Sequence, residues 1–247
     1  MITYTDLTKS FIQIGLKKGM YLEVHSSLRS FGEVEGGADT IINVLQEIIT
    51  LTGAIIMPSF PFSRPFELSK EERQLGLTYK IKMLDPDSKE RTGMGIIADT
   101  FRHRPDVKTG PGRFRVSAWG AEQEENCQGF SNLHKKDGHA LLLGVDIYRL
   151  TSMHYVESDL PQAVRNYGNL NPEVLAKYPE DVWYVQAREL PIKGWYTIQA
   201  QAYEQGFIRE MQIGQSKCMF FKVNPVINLY RDALRKDALG LFGLDAN

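Results

Sequence analysis

Apolar residues along the chain fall into short blocks that alternate between helical spacing and continuous strand-like runs. Leu7, Phe11 and Ile14 recur at helical spacing and stop at Gly15 and Gly19, which predicts a short amphipathic first helix. Residues 21–25, Tyr-Leu-Glu-Val-His, follow as a strand and run into a polar turn, Ser26-Ser27-Leu28-Arg29-Ser30-Phe31-Gly32. Ile41, Ile42, Leu45, Ile48 and Ile49 return to helical spacing, with Asp39 or Thr40 placed to cap the start and Gly53 to close it. Residues 54–57, Ala-Ile-Ile-Met, read as a buried strand that Pro58 ends. Strand, helix, strand is the βαβ pattern of an α/β fold.

Residues 61–91 are polar and rich in charge and proline, which predicts a long surface excursion with a helical turn around 70–75. Helical spacing resumes at Ile96, Ile97 and Phe101. The stretch 105–113, containing Gly110-Pro111-Gly112, is a second irregular segment and a candidate lid. Further core strands are expected at 116–119 and 140–145, the latter covered on both faces, with a helix starting near Thr151. Beyond Tyr167, strand-like runs at 182–185 and 218–221 flank a helical piece at 198–205, which predicts hairpins. Val226, Leu229, Tyr230, Ala233 and Leu234 predict a final amphipathic helix begun by Pro225.

The length of 247 residues suits one large α/β domain over 1–247. Twenty-nine basic residues against thirty acidic give a formal charge of −1, without the excess that binding to a nucleic-acid backbone requires, so nucleic acid is not an expected partner. Cys127 and Cys218 form no C-x-x-C pair and read as small buried apolar residues, which fits a reducing cytoplasm. With no apolar run near the ~20 residues of a membrane span and no leader-like start, the expectation is a cytoplasmic protein, neither exported nor embedded.

Chemistry concentrates in two places. Thr151-Ser152-Met153-His154-Tyr155-Val156-Glu157 sets His154 and Glu157 three residues apart, on one face of a helix, just past a buried strand. Such a pair is either a base with the carboxylate that orients it or a surface ion pair. The turn from His25 to Gly37 is dense in hydroxyls and backbone donors at a strand end. It suits a phosphate or pyrophosphate, or serves as an ordinary strand-to-helix loop. Gly93-Met94-Gly95-Ile96-Ile97-Ala98 has dinucleotide-fingerprint spacing, but a polar loop and not a strand precedes it, which favours helix entry. There is no Walker loop, H-E-x-x-H or G-x-S-x-G, and the remaining histidines lack the partner spacing of a metal site, so no metal is expected.

Taken together and in order, these segments resemble the aminoglycoside 3-N-acetyltransferase family, which is distinct from the GNAT fold. Residues 19–37, with His25-Ser26-Ser27-Leu28 and Val34-Glu35-Gly36-Gly37, resemble its first coenzyme A loop. Gly53-Ala54-Ile55-Ile56-Met57-Pro58-Ser59-Phe60 and Asp85-Pro86 with Thr92-Gly93-Met94-Gly95 resemble its next two segments. Leu143-Gly144-Val145 leading to Thr151, His154 and Glu157 resembles its catalytic segment. The resemblance implies a single three-layer α/β/α domain with a central mixed sheet, and direct acetyl transfer from acetyl-CoA to an amine without an acyl-enzyme. It implies His154 as general base, Glu157 as its support and Thr151 as a hydrogen-bond donor near the thioester. It further implies coenzyme A contacts from His25, Ser26, Ser27, Leu28, Val34, Glu35, Thr92 and Thr109.

Two features separate this chain from the family pattern: the sequence of 108–115, and Leu150 in place of an asparagine before the threonine. A polycationic acceptor calls for a carboxylate-lined cleft. Here Glu67, Glu71 and Glu72 are interleaved with Arg64, Arg73, Lys80 and Lys82, which favours an amino-sugar acceptor over an assigned resistance role. A catalytically idle coenzyme A-binding module and a metal-dependent hydrolase are the competing readings.

Overall fold

Helix α1 (Tyr4–Ile14) starts at Thr3, whose hydroxyl accepts from the Asp6 amide while the Asp6 carboxylate accepts from the Thr3 amide, a reciprocal cap. This computed structural model describes residues 1–85 and 88–244. Strand β1 (Tyr21–Ser26) lies at the centre, and helix α2 (Gly37–Ile49) carries the chain to β2 (Ala54–Pro58), parallel to β1 with Tyr21 opposite Ala54. The βαβ unit is therefore present. Neither Asp39 nor Thr40 caps α2: Gly36, at φ +66°, holds the cap position, and Asp39 sits in the first turn, where its charge suits the helix dipole. Pro58 is the last paired residue of β2, opposite Val116.

The excursion 61–91 holds helix α3 (Lys70–Gln74), as the sequence predicts, and also a strand it conceals, β3 (Tyr79–Lys82). Helix α4 (Ile96–Arg102) begins at Gly95, which at φ +96° takes a conformation that glycine adopts freely, so these glycines serve helix entry. Strands β4 (Lys108–Thr109) and β5 (Val116–Gly120), helices α5 (Gln123–Asn126) and α6 (Ser131–Lys135), and strand β6 (His139–Leu143) follow. After a short 3-10 turn at Ile147–Arg149, a longer one runs over Thr151–Asp159, where an α-helix was expected. Its start is wound by a three-residue bond, the Met153 amide to the Leu150 carbonyl, while the Thr151 and Ser152 amides face side chains of β1.

Helices α7 (Gln162–Tyr167) and α8 (Pro172–Leu175) precede β7 (Trp183–Gln186), and α9 (Lys193–Glu204) leads into β8 (Arg209–Ile213) and β9 (Ser216–Lys222). The hairpin expectation holds for β8 and β9. It fails for β7, which pairs antiparallel with the distant β3, Tyr79 opposite Gln186. Helix α10 (Val223–Phe242) breaks its helical angles at Asp237, whose carboxylate accepts from the Gly240 amide and so caps the last piece.

The main sheet has the order β4-β5-β2-β1-β6-β9-β8; β1 is parallel to both β2 and β6, and the other pairs are antiparallel. Side chains alternate between its faces. Leu22, Val24, Ile55 and Leu141 pack under α1, α2 and α4, while Ile56, Ala140, Leu142 and Met219 pack under α9, α10 and the Thr151–Asp159 turn. The three-layer α/β/α arrangement with a mixed sheet is thus present. Both cysteines are buried, and burial pushes the Cys218 thiol up to about 11. Among the described residues, no helix is long and apolar enough to cross a membrane.

Candidate functional site

The three parallel strands end at one edge of the sheet, where ligands of open α/β folds collect. A cleft of about 870 Å³ opens there, lined by Ser26 from the end of β1, Pro58 from β2 and Gly144 just after β6. Gly144 takes φ +69°, and a Cβ on it would stand 1.8 Å from Ser30 Oγ, so the loop after β1 packs directly on the chain leaving β6. Ser30 Oγ lies 2.8 Å from Ser216 Oγ, which ties that loop to β9 as well.

Of the residues expected at a site, the structure gathers His25, Ser26, Ser27, Leu28, Thr92, Thr151 and His154 around this cleft. Thr92 is held from below, its amide and hydroxyl donating to Asp99 Oδ1 at 3.2 and 3.3 Å. Three expected residues stand elsewhere. Val34 bridges to Ile2 and the Glu35 amide donates to the Ile2 carbonyl, which anchors the N-terminus. Thr109 lines a separate cavity and pairs with Ser117 Oγ at 2.6 Å. The side chain of Glu157 and the whole of Pro86, from the Asp85-Pro86 pair, lie outside the described residues.

Beneath Thr151 lies a buried polar network that the sequence reading missed. Period-two alternation in β1 puts Glu23 and His25 on the face toward the 3-10 turn, and both are buried. His25 Nε2 is 2.7 Å from Glu23 Oε1 and 3.2 Å from the Thr151 amide. One ring nitrogen cannot donate and accept at once. According to the tautomer, Nε2 either donates to Glu23 Oε1 or accepts from the Thr151 amide. Ser152 donates to Glu23 twice, from its amide to Oε1 at 3.1 Å and from its hydroxyl to Oε2. The network joins the central strand to the turn that bears Thr151 and His154. A charge between Leu22 and Val24 in an apolar strand was the available signal, since a carboxylate there requires buried donors.

His154 is exposed, and its ring meets Trp195 edge-on at 6.0 Å between centroids. It borders the first cleft and also a second one of about 780 Å³, whose walls come from β3, β7, the segment after β7 and α7. Tyr148 and Arg149 are likewise shared. Burial, with Glu189 adding to it, raises the pKa of Tyr79 in the second cleft, so its phenol keeps its proton at neutral pH. The Thr151 hydroxyl has no hydrogen-bond partner among the described residues.

The first cleft is basic: Arg29, Arg64, Arg91 and Arg149 line it, against one carboxylate among the described residues, Asp146. Asp146 is engaged by Tyr196 Oη at 3.3 Å and Gln199 Nε2 at 3.4 Å. Of these arginines only Arg64 was weighed from sequence, as a charge against a cationic acceptor, although Arg29 lies inside the quoted loop and Arg91 directly precedes Thr92. Glu67, Glu71 and Glu72, the carboxylates weighed for a cationic acceptor, line neither cleft; Glu72 pairs with Lys80 and accepts from Tyr178 Oη at 3.2 Å. Among the described residues, no three His, Cys, Asp or Glu side chains converge as metal ligands.

Known proteins share this fold. The SPbeta prophage-derived aminoglycoside N(3')-acetyltransferase-like protein YokD of Bacillus subtilis (strain 168) is 31% identical over 187 residues, 67% of this chain and 69% of that protein. The crystal structure of YokD superposes with a TM-score of 0.70 at 23% identity, over 96% of this chain and 94% of that one. The apoenzyme of aminoglycoside acetyltransferase AAC(3)-IVa gives 0.72 at 22% identity, over 98% and 91% of the two chains. AAC-IIIb, solved as a binary complex with CoASH, gives 0.71 at 18% identity, over 95% and 96%. At these identities the superpositions establish a shared fold. A family model described as aminoglycoside 3-N-acetyltransferase matches residues 24–235, and this chain therefore belongs to the aminoglycoside 3-N-acetyltransferase family.

Proposed function

We propose that this protein transfers an acetyl group from acetyl-CoA directly to the amine of an amino sugar or aminoglycoside, with His154 as general base. The observation that carries the reading is the place of His154 on the lip shared by two clefts, one basic and suited to a phosphate-bearing donor, the other open to an acceptor. Arg29, Arg64 and Arg91 of the first cleft supply charge for the phosphates of coenzyme A, which a guanidinium fork binds through paired hydrogen bonds. His25, Ser26, Ser27, Leu28 and Thr92, which line the same cleft, are the contacts assigned to the rest of coenzyme A in this reading. That AAC-IIIb, which shares this fold, was solved with CoASH supports acetyl-CoA as the donor.

A protonated amine has no lone pair with which to attack. His154 takes the proton as the nitrogen bonds to the thioester carbonyl carbon, and the carbon–sulfur bond then breaks to release the thiolate. Thr151 donates a hydrogen bond to the carbonyl oxygen as negative charge gathers on it. Glu157, one turn beyond His154 in sequence, supports the imidazolium in this reading. Holding amine and thioester on either side of one base supplies the orientation that makes the reaction effectively unimolecular.

The test is release of free thiol from acetyl-CoA across a panel of amino sugars, nucleotide-linked amino sugars and aminoglycosides, with and without a chelator. The expected result is amine-dependent release that the chelator leaves unchanged. Release that needs no amine, or that the chelator abolishes, would point to a hydrolase and contradict the proposal.

A further inference from the structure

We infer that the acceptor of this enzyme is an anionic amine, one that carries a phosphate or carboxylate group in addition to the nitrogen to be acetylated. The inference rests on the acetyl-transfer reading and specifies its substrate class. It comes from the charges around the second cleft. Arg149, Arg165 and Arg188 line it, against Glu189 as its one carboxylate among the described residues. Arg149 and Arg188 are exposed and belong to no ion pair among the described residues. Each guanidinium instead rests on an aromatic ring, Arg149 on Tyr148 at 4.8 Å and Arg188 on Tyr167 at 5.5 Å. A guanidinium engaged with a ring and not with a carboxylate keeps N–H groups for an anion, and its fork matches the paired oxygens of phosphate and carboxylate.

Glu189 supplies one negative position for one ammonium, and the arginines supply positive positions for an anion. A substrate with a single amine and one or more anionic groups matches that distribution. A polycation would set several ammonium groups against Arg149 and Arg188, with Glu189 the one lining carboxylate among the described residues and with Glu67, Glu71 and Glu72 lining neither cleft. The wall next to His154 is apolar and aromatic, formed by Leu160, Val164, Leu190 and Trp195, and fits the face of a sugar ring.

Four probes separate the contributions: glucosamine, glucosamine 6-phosphate and muramic acid on one sugar scaffold, and kanamycin as a polycation. Affinity is read by calorimetry with coenzyme A present, and turnover by thiol release from acetyl-CoA, for wild type and Arg188→Glu. The inference expects the phosphate or carboxylate probe to bind at least ten-fold tighter than glucosamine and kanamycin. It expects Arg188→Glu to remove that preference while the KM for acetyl-CoA, whose cleft Arg188 does not line, stays within two-fold. A second variant, Arg188→Gln, should give an intermediate loss, and a melting temperature like wild type would show that the fold is intact. Equal or tighter binding of glucosamine or kanamycin would overturn the inference and leave acetyl transfer standing. Charge-selective binding without thiol release from any probe would support the charge assignment and contradict acetyl transfer.

Discussion

The two walls that face each other across His154 are built in different ways. The donor wall is made where parallel strands of one sheet end, each followed within a few residues by a loop or turn that reaches the cleft. The acceptor wall depends on a separate two-stranded sheet whose partners, β3 and β7, lie about a hundred residues apart in sequence. The strands of the donor side are buried on both faces; Trp183, Tyr184, Val185 and Gln186 of β7 are all only half-buried. The small apolar cluster near that sheet has three buried members among the described residues, Leu77, Leu170 and Val174. His154 thus stands where the wall built on the deep sheet meets a shallower, separately assembled one.

Removing the anchor of the donor side should have the largest effect on the fold. In Glu23→Ala, His25 and the two Ser152 donors lose their shared carboxylate inside the protein, which should cost about 1–3 kcal/mol by chemical denaturation. Glu23→Gln, which keeps an acceptor oxygen, should cost less. Equal stability of Glu23→Ala and wild type would show that the network does not hold the turn in place.

The next effect separates the two clefts. Arg64→Ala combined with Arg91→Ala should raise the KM for acetyl-CoA about ten-fold, through loss of charge-assisted contacts, and should leave the acceptor KM within about two-fold. A larger change on the acceptor side would mean that the clefts are assigned the wrong way round.

The smallest effect concerns pH and stability. Burial holds the pKa of His134 and of His139 below 6.5, their ordinary value. The ring of His134 stacks on Tyr155 at 4.2 Å. Asn224 Nδ2 donates to the His134 carbonyl, so its Oδ1 accepts from Nδ1–H, and Nε2 is buried without a partner. As pH falls below about 6.5, the unfolded chain takes up protons on these rings before the folded chain does. Stability is therefore full above that pH and is lost between it and the lower folded values. His134→Gln should flatten part of this slope in melts taken between pH 5 and 7.5, and an unchanged slope would remove His134 from the account.

The same contrast explains what the sequence reveals. The β1-α2-β2 unit and the strand before Gly144 are written locally, as apolar runs ending in glycine, proline or polar turns, and the residues at their ends reach the cleft together. Strand β3 escapes notice because Tyr79-Lys80-Ile81-Lys82 offers only one buried side chain, and its partner is remote. The 3-10 winding after Thr151 is equally invisible in the apolar spacing, because the β1 side chains that face its first amides are more than a hundred residues away. Val34 and Glu35 share a loop with Ser27 but turn to the N-terminus, since Ile2 pairs there.

The central claim is that His154 is the base serving both clefts, and the pH dependence of kcat/KM in wild type and His154→Ala tests it most directly. Wild-type activity should fall on the acid side, where the imidazole already holds a proton. His154→Ala should keep acetyl-CoA affinity, lose about 100-fold or more in kcat, and lose that acid limb. Near-wild-type turnover in His154→Ala with the same pH profile would contradict the account.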